Sequence, residues 1–146
     1  MPLLGGPELL QFLDESFPQA KHLGLQVEHV DAQSIRLRMP IGEQHLRPGG
    51  IVSGPTLMWM ADCGAYLLIL AQIGPVAMAV TSSLTMNFLR AGDGRRDLIG
   101  QGRLLKLGRR LAVTEFTLLS DGSDAAIAHA TVTYAIPAER LMGGVK

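Results

Sequence analysis

The sequence predicts an α+β domain in which one long central helix is wrapped by a curved antiparallel sheet of about six strands. The segment from Gly54 to Gly74 is apolar almost all round, and a helix of that kind must be enclosed by other structure. The segments on both sides alternate polar and apolar residues, as half-buried strands do. A chain of 146 residues suits one domain, so we interpret residues 1–146 as a single unit.

A short helix and a strand pair are predicted before the long helix. Pro7 stands at a favoured first helical position and apolar residues follow on one face, so a helix is predicted over about 7–17. Residues 25–39 alternate in polarity around turn residues at 31–33, which predicts two strands. The glycine-rich segment 40–53 is predicted to be a loop.

Four further strands are predicted after the long helix. Turns rich in Gly, Asp and Ser separate the alternating segments, and because the links are short we expect an antiparallel meander. The last residues, about 138–146, are interpreted as a tail. The predicted strands are residues 77–89, 97–106, 109–119 and 124–135.

Composition argues against several classes of protein. Thirteen basic residues balance thirteen acidic ones and only 5% of residues are aromatic, so nucleic acid is not an expected partner. The single cysteine excludes an intrachain disulfide, the histidines have no metal-ligand spacing, and no metal or other cofactor is expected. The N-terminus shows no signal-peptide pattern, so we expect a cytoplasmic protein. Residues 51–73 could span a bilayer by length, but an acid near their centre argues against a membrane protein.

Asp62 is the most unusual residue of the chain. It is the only formally charged side chain between Arg47 and Arg90, and it lies in the middle of the apolar helix. A carboxylate in such surroundings costs several kcal/mol unless it is paired or used chemically. Asp62 is therefore the first candidate for a catalytic base. A structural role, with the carboxylate bonded to a backbone N–H or to Tyr66 one turn on, is the alternative.

Four segments of the chain resemble the hotdog-fold acyl-CoA thioesterases of the phenylacetate-degradation (PaaI-like) type. The resemblance implies a hotdog fold, hydrolysis of an acyl-CoA thioester with CoA only as part of the substrate, and self-association into a dimer or a dimer of dimers. It extends over about residues 25–134. The segments are RPGGIVSGPTLMWMAD at 47–62, AVTSSLTMNFLR at 79–90, LGRRLAV at 107–113 and AIAHAT at 126–131.

The resemblance also implies roles for individual residues. The family carries a catalytic Asp or Glu on the central helix, which matches Asp62, and a His-Gly-Gly run at the helix start, where this chain has Ser53-Gly54-Pro55. Only Gly54 matches that run. Its backbone N–H, which needs no particular side chain, is the implied thioester-binding group.

Three more positions follow from the same comparison of motifs. Arg47 stands where the family commonly has Asn, and His45 is a candidate substitute for the missing His, although its spacing differs. Thr81 occupies the place where relatives carry a hydroxyl that positions water, with local strand bonding as the alternative.

The helix geometry favours a site shared between two chains. The free N–H groups at a helix N-terminus stabilise an oxyanion, which makes the Gly54 end the candidate oxyanion site. Asp62 lies some 10 Å further along the same helix, too far to act on a carbonyl held there. Two chains packed about a twofold axis would bring each helix start to the Asp62 of the other chain. We therefore predict Asp62 as general base or nucleophile and the second chain's Gly54 N–H as oxyanion donor.

The remaining candidates are less specific. Ser53 suits the N-cap position of the helix. As a nucleophile it would be expected within a Gly-x-Ser-x-Gly pattern, which the sequence around it does not have. Met58 and Trp59, with Met78 and Met86, are candidates to line an acyl pocket or to fill the core. Three arginines either clamp CoA phosphates or are ordinary solvated charges: Arg90, Arg109 and Arg110.

Two other functions stay open on the sequence alone. One is a non-catalytic acyl-CoA binding protein, which the departures from the His-Gly-Gly run favour. The other is a hotdog acyl-CoA hydratase or dehydratase, although these usually pair a His with an acid and no such pair is visible. Turnover of a panel of acyl-CoA esters would separate the three.

Overall fold

The computed structural model of the protein describes residues 2–138. Within that range it contains two α-helices, two short 3₁₀-helices and eight strands. The helices are α1 (Gly6–Ser16) and α2 (Gly54–Ile73), and the 3₁₀-helices are Pro18–Leu23 and Glu43–His45. The strands are β1 (Gln26–Val30), β2 (Ser34–Met39), β3 (Leu46–Arg47), β4 (Ile51–Val52), β5 (Val80–Phe88), β6 (Leu98–Leu107), β7 (Leu111–Ser120) and β8 (Ala126–Ala135).

Six of the strands form one antiparallel sheet, in the order β1-β2-β6-β7-β8-β5, and α2 packs against it. The short strands β3 and β4 pair with each other in a separate hairpin. This architecture confirms the predicted α+β hotdog fold. The predicted tail, about 138–146, lies almost entirely outside the described residues.

The predicted four-strand meander is wrong in one respect. Strands β6, β7 and β8 are neighbours, but β5 pairs with β8 and forms an edge of the sheet. Alternation of polarity reports which face of a strand is buried and not which strand lies beside it. The link from β5 to β6, residues 89–97, crosses three strand spacings of about 4.8 Å, which is well within its reach of roughly 30 Å.

The central helix α2 owes its boundaries to local chemistry. Ser53 is its N-cap, Pro55 stands in the first turn, and Gly74 ends it with a positive φ of 94° that favours glycine. The helix is long and apolar enough to cross a membrane, but 72% of its most apolar stretch is buried inside the protein. It is therefore the core helix of the fold.

A phenylalanine between two glycines sets the distance from α2 to the sheet. Phe116 of β7 is fully buried, and its ring fills the space where Gly64 of α2 and Gly102 of β6 would otherwise carry side chains. A Cβ at Gly64 would lie 2.6 Å from the nearest ring carbon, and a Cβ at Gly102 would lie 2.2 Å away. Because real Cβ atoms do not approach so closely, both positions require glycine unless the ring moves.

We expect Gly64→Ala to lower the free energy of unfolding by about 1–3 kcal/mol, the usual cost of overpacking a core. At an open position inside a helix the same change raises stability by roughly 0.5–1 kcal/mol, so the sign alone is diagnostic. Urea denaturation measures it. As a control, adding Phe116→Leu should make the loss from Gly64→Ala smaller, because the shorter side chain makes room. A stabilised Gly64→Ala protein would contradict this packing.

Candidate functional site

Asp62 lies on the wall of a cavity of about 350 Å³. The cavity lies between α2, the end of α1, the start of β5 and the end of β8, so four elements distant in sequence build it. Apolar surface dominates it, with a few polar groups at one side, which is the usual make-up of a small-molecule pocket. Besides Asp62, the residues around it include Phe17, Cys63, Tyr66, Ala79, Thr81 and Tyr134.

Two hydroxyl groups hold the Asp62 carboxylate. Thr81 Oγ1 donates a hydrogen bond to Asp62 Oδ1 over 2.7 Å, and the Tyr134 hydroxyl reaches the same oxygen over 2.9 Å. Within the described part of the chain, both hydrogen bonds to this carboxylate end on Oδ1. The second oxygen, Oδ2, is thus available to react with a substrate or with water. The structural role considered for Asp62, a bond to Tyr66, is absent because the Tyr66 hydroxyl donates to the Ala77 carbonyl instead.

A β-bulge turns Thr81 toward Asp62. Thr81 pairs with Tyr134 of β8, but Ser83, two residues on, pairs with Thr133, so Ser82 is an extra residue in β5. Directly paired residues share a face of the sheet, and adjacent residues of one strand lie on opposite faces. Thr81 therefore lies on the same face as Tyr134, whereas Ser83 lies on the other. Such bulges often redirect a side chain beside an active site.

Burial keeps the other titratable groups of the cavity neutral. Burial, with a smaller contribution from the Asp62 charge, raises the pKa of the Cys63 thiol to about 12. The same two causes raise the pKa of Tyr134 far above its usual range, and burial raises the pKa of Tyr66. All three groups therefore keep their protons at neutral pH, and the two phenols act as hydrogen-bond donors.

The N-terminus of α2 is capped and leaves one backbone group for a ligand. The Thr56 N–H donates to Ser53 Oγ over 3.3 Å, and the two hydroxyls are 2.8 Å apart, so Ser53 is occupied as the N-cap. Among the hydrogen bonds of residues 2–138, none starts from the Gly54 N–H. The Phe88 ring lies next to Gly54, about 3.7 Å from where a Cβ would be. Gly54 thus has the features of an anion-binding helix start.

His45 fastens the preceding loop to this helix start. Its side chain is buried, and its Nδ1 accepts a hydrogen bond from the Gly42 N–H over 2.9 Å. Its carbonyl accepts from the Ser53 N–H and from the Thr56 hydroxyl. These contacts of His45 are with its own loop and the start of α2, and His45 is not among the residues that line the Asp62 cavity.

The predicted residues fall into two groups within one chain. Asp62 and Thr81 are in contact at the start of β5. Ser53 and Gly54 lie about two helical turns earlier on α2, where Phe88 marks the other end of β5. One chain alone therefore separates the acid from the helix start, as the sequence predicted.

The predicted pocket residues lie elsewhere on the surface. Met58 is 44% exposed, Arg47 is exposed in the β3–β4 hairpin, and Trp59 is half-buried, stacked on Phe17 with ring centroids 5.8 Å apart. None of the three lines the cavity beside Asp62. Trp59 still adjoins it indirectly, because Phe17 is part of the cavity wall.

The three predicted arginines lie at opposite ends of the sheet. Arg90 follows the end of β5, where its Nε donates to the Ala126 carbonyl over 2.8 Å. Arg109 and Arg110 are in the β6–β7 turn, beside an open depression that also includes Lys106. Because Val80 and Leu111 both pair with Ala135, this turn adjoins the start of β5. Within residues 2–138, no three His, Cys, Asp or Glu side chains are grouped to hold a metal ion.

Tyr134 is the site residue that sequence reasoning missed. It ends a row of inward-facing residues on β8 whose other members are small or apolar: Ala128, Ala130 and Val132. A phenol in such a row needs a polar partner for its hydroxyl, and that was the available signal. The identity of the partner, Asp62, depends on which strand packs over which part of α2.

We expect Cys63 in the folded protein to react with iodoacetamide at pH 8 about a thousandfold more slowly than in urea. With a pKa near 12, only about one thiol in 10⁴ is a thiolate at that pH, whereas an unfolded cysteine is ionised to roughly a quarter. Mass spectrometry of timed samples gives both rates. Similar rates in the two states would show that Cys63 is neither buried nor protonated as the structure has it.

Comparison with known proteins shows which protein family the chain matches. Residues 49–127 match the thioesterase superfamily. A thioesterase candidate of known structure from Silicibacter sp. TM1040 is 42% identical, with a TM-score of 0.86 and 94% of each chain covered.

Two other solved structures are related to phenylacetic acid degradation. A protein of this kind from Ralstonia eutropha JMP134, also a thioesterase candidate, is 28% identical over 86% of this chain and 98% of its own, with a TM-score of 0.75. A mutant of the phenylacetic acid degradation protein PaaI from Thermus thermophilus is 25% identical over 82% of this chain and 99% of its own, with a TM-score of 0.71. The family match over residues 49–127, the fold and the similar solved structures show that the chain belongs to the thioesterase superfamily.

Proposed function

We propose that this protein is an acyl-CoA thioesterase in which Asp62 is the general base or the nucleophile. The observation that carries the proposal is the Asp62 carboxylate, fixed through Oδ1 by Thr81 and Tyr134 at the wall of a cavity. Membership of the thioesterase superfamily and the likeness to thioesterase candidates support hydrolysis as the reaction class.

The cavity favours an apolar or aromatic acyl group. Its volume of about 350 Å³ is near the lower end of the range for small-molecule sites. Phe17, Tyr66 and Ala79 contribute apolar surface, and Cys63 contributes a protonated thiol. A negatively charged acyl tail would find no positive side chain among the described residues that line this cavity.

A second copy of the chain would complete the site by pairing along β5. This strand is an edge of the sheet, and an open edge offers backbone N–H and C=O groups for pairing. Val80 and Phe88, at its two ends, are each 55% exposed, and Met78 and Leu89 beyond them are also exposed. Antiparallel pairing about a twofold axis would cover this apolar surface in both copies.

The same pairing would bring the acid to the helix start. In an antiparallel pair of identical strands, the start of one lies beside the end of the other. Thr81, which holds Asp62, would lie near the second copy's Phe88, and Phe88 adjoins Gly54. The separation of Asp62 from Gly54 within one chain is thus the arrangement that a two-chain site requires.

The arginines would come together in the same way. The twofold axis would carry the second copy's Arg90 from the end of its β5 toward the β6–β7 turn of the first copy, with Arg109 and Arg110. Guanidinium groups pair well with phosphates. We therefore assign these three arginines to the phosphates of CoA, with the acyl group in the cavity beside Asp62.

The chemistry then needs water and no further reactant. As a base, Asp62 Oδ2 takes a proton from water, the hydroxyl oxygen attacks the thioester carbonyl carbon, and the Gly54 N–H stabilises the oxyanion. Collapse breaks the C–S bond, and the proton passes to the departing sulfur to give CoA and a carboxylic acid. As a nucleophile, Oδ2 attacks the carbonyl carbon, and the C–S bond breaks to release CoA as its thiolate and leave a mixed anhydride. Water then hydrolyses the anhydride, which frees Asp62 and the carboxylic acid, and the proton that water releases goes to the thiolate. Thr81 and Tyr134 hold Oδ1 in either route.

We expect Asp62→Asn to lower kcat for acyl-CoA hydrolysis by about 10²–10⁴-fold, the usual cost of losing a general base. The amide keeps the shape and can still accept from both hydroxyls, so folding should be intact. A panel of aryl, short, medium and long acyl-CoA esters, assayed by release of free thiol, identifies the acyl class at the same time.

The panel also decides between the alternatives. Saturable binding without product would indicate a non-catalytic acyl-CoA binder, and water addition to an enoyl-CoA would indicate a hydratase. Among the described residues that line the cavity there is no His, the residue that such hydratases usually pair with an acid. Unchanged hydrolysis by Asp62→Asn would remove Asp62 from the mechanism.

Mixing two inactive variants tests whether the site is shared. Gly54→Pro deletes the proposed oxyanion donor, and Ser53 before it is extended, with φ −73° and ψ 151°, as a residue before proline should be. Each variant alone should be nearly inactive. Refolded together with Asp62→Asn, mixed dimers would have one site with both groups intact, and roughly a quarter of wild-type turnover should return.

Differently tagged chains allow the mixed dimers to be purified and counted. Mixed dimers without activity would show that Asp62 and Gly54 act within one chain or not at all. Full activity of Gly54→Pro alone would remove the oxyanion assignment while leaving Asp62 in place.

A further inference from the structure

We propose that Tyr134 is a positioning residue of the reaction: its hydroxyl fixes Oδ1 of Asp62 so that Oδ2 is presented to the substrate or water. The inference rests on the proposed function, because it assigns the orientation of the same carboxylate. It concerns a residue that neither the motif comparison nor the sequence pattern brought forward.

The contacts of the Tyr134 hydroxyl carry the argument. It lies 2.9 Å from Asp62 Oδ1 and 3.1 Å from the Asp62 backbone carbonyl. One hydroxyl has one proton, and a carboxylate oxygen is a stronger acceptor than a carbonyl that already takes part in a helix. The proton therefore points mainly to Oδ1, and the Asp62 carbonyl is the weaker acceptor of the same O–H.

The ring of Tyr134 is held more firmly than the other donor. Its side chain is 5% exposed and stacks on Tyr66, with ring centroids 5.9 Å apart and an angle of 30°. Tyr66 is itself tied to the Ala77 carbonyl through its hydroxyl over 3.1 Å. Thr81, by contrast, is exposed on the edge strand. Tyr134 is thus the rigid donor and Thr81 the adjustable one.

Protonation keeps Tyr134 a donor throughout the neutral range. Burial and the Asp62 charge raise its pKa, so the phenol does not give up its proton in the reaction. The other titratable groups lining the cavity, Cys63 and Tyr66, also have raised pKa values. Tyr134 therefore acts through Asp62, by fixing the geometry of its carboxylate, and not as an acid or base.

The test is Tyr134→Phe, which keeps the stacked ring and removes only the hydroxyl. We expect kcat to fall about 10–100-fold while KM changes less than about twofold, because the lost bond orients the reacting group and does not bind substrate.

Thr114→Val is the matched control. Thr114 is fully buried on β7, and its hydroxyl donates to the Val132 carbonyl of β8, two residues from Tyr134. This variant removes a buried hydroxyl bond to the same strand without touching Asp62. It should lose a few degrees of Tm and keep kcat. Tyr134→Phe kinetics equal to those of Thr114→Val would overturn the proposal.

Failure of the positioning role of Tyr134 can be distinguished from failure of the proposed function. If wild type hydrolyses acyl-CoA and Asp62→Asn does not, the function stands, and unchanged kcat in Tyr134→Phe overturns the positioning role alone. If Asp62→Asn is as active as wild type, the catalytic role of Asp62 and the positioning role of Tyr134 fall together, whereas thioester hydrolysis itself stands. If wild type hydrolyses no acyl-CoA, the proposed function falls.

A second measurement decides the case if Tyr134→Phe does not fold. The chain has two tyrosines, so Tyr66→Phe with fluorotyrosine incorporation leaves a single ¹⁹F signal from Tyr134. That signal should shift in Asp62→Asn, because an amide oxygen or nitrogen then replaces the carboxylate oxygen that accepts from the Tyr134 hydroxyl. A signal insensitive to Asp62→Asn would overturn the proposal.

Discussion

The close approach of α2 to the sheet governs the rest of the molecule. Phe116 fills the space between Gly64 and Gly102, and this contact sets how near the helix lies to β6 and β7. On the same helix, Asp62 is turned toward β5 and β8, where hydroxyl oxygens meet it at 2.7 and 2.9 Å. Hydrogen bonds tolerate only a few tenths of an ångström, so the steric contact in the core sets the geometry at the carboxylate.

These contacts explain how the Asp62 carboxylate is accommodated in apolar surroundings. A carboxylate enclosed without partners would cost several kcal/mol, but here two hydroxyl donors satisfy one oxygen and a cavity adjoins the group. The donors come from different strands, one central and one at the sheet edge. The site is therefore assembled from the hydrophobic core on one side and from the edge strand β5 on the other.

Sequence patterns predicted most of the fold and part of the site. The α2 helix was predictable because it is apolar all round and bounded by Gly-Pro pairs, and the strands because their polarity alternates. The position of β5 beside β8 was not, since alternation carries no information about neighbours. Asp62 was conspicuous as a lone charge, and Thr81 followed from a motif. Tyr134 lies 72 residues from Asp62 along the chain, and only the packed structure shows their contact.

The extra residue at Ser82 has an evolutionary consequence. Thr81 reaches Asp62 because one inserted position reverses which face of β5 it occupies. In a fold of this kind, a hydroxyl can thus be recruited to a site, or withdrawn from it, by gain or loss of a single codon while its own identity stays the same. A sequence alignment of relatives that ignores such insertions would match threonines that lie on opposite faces of the sheet.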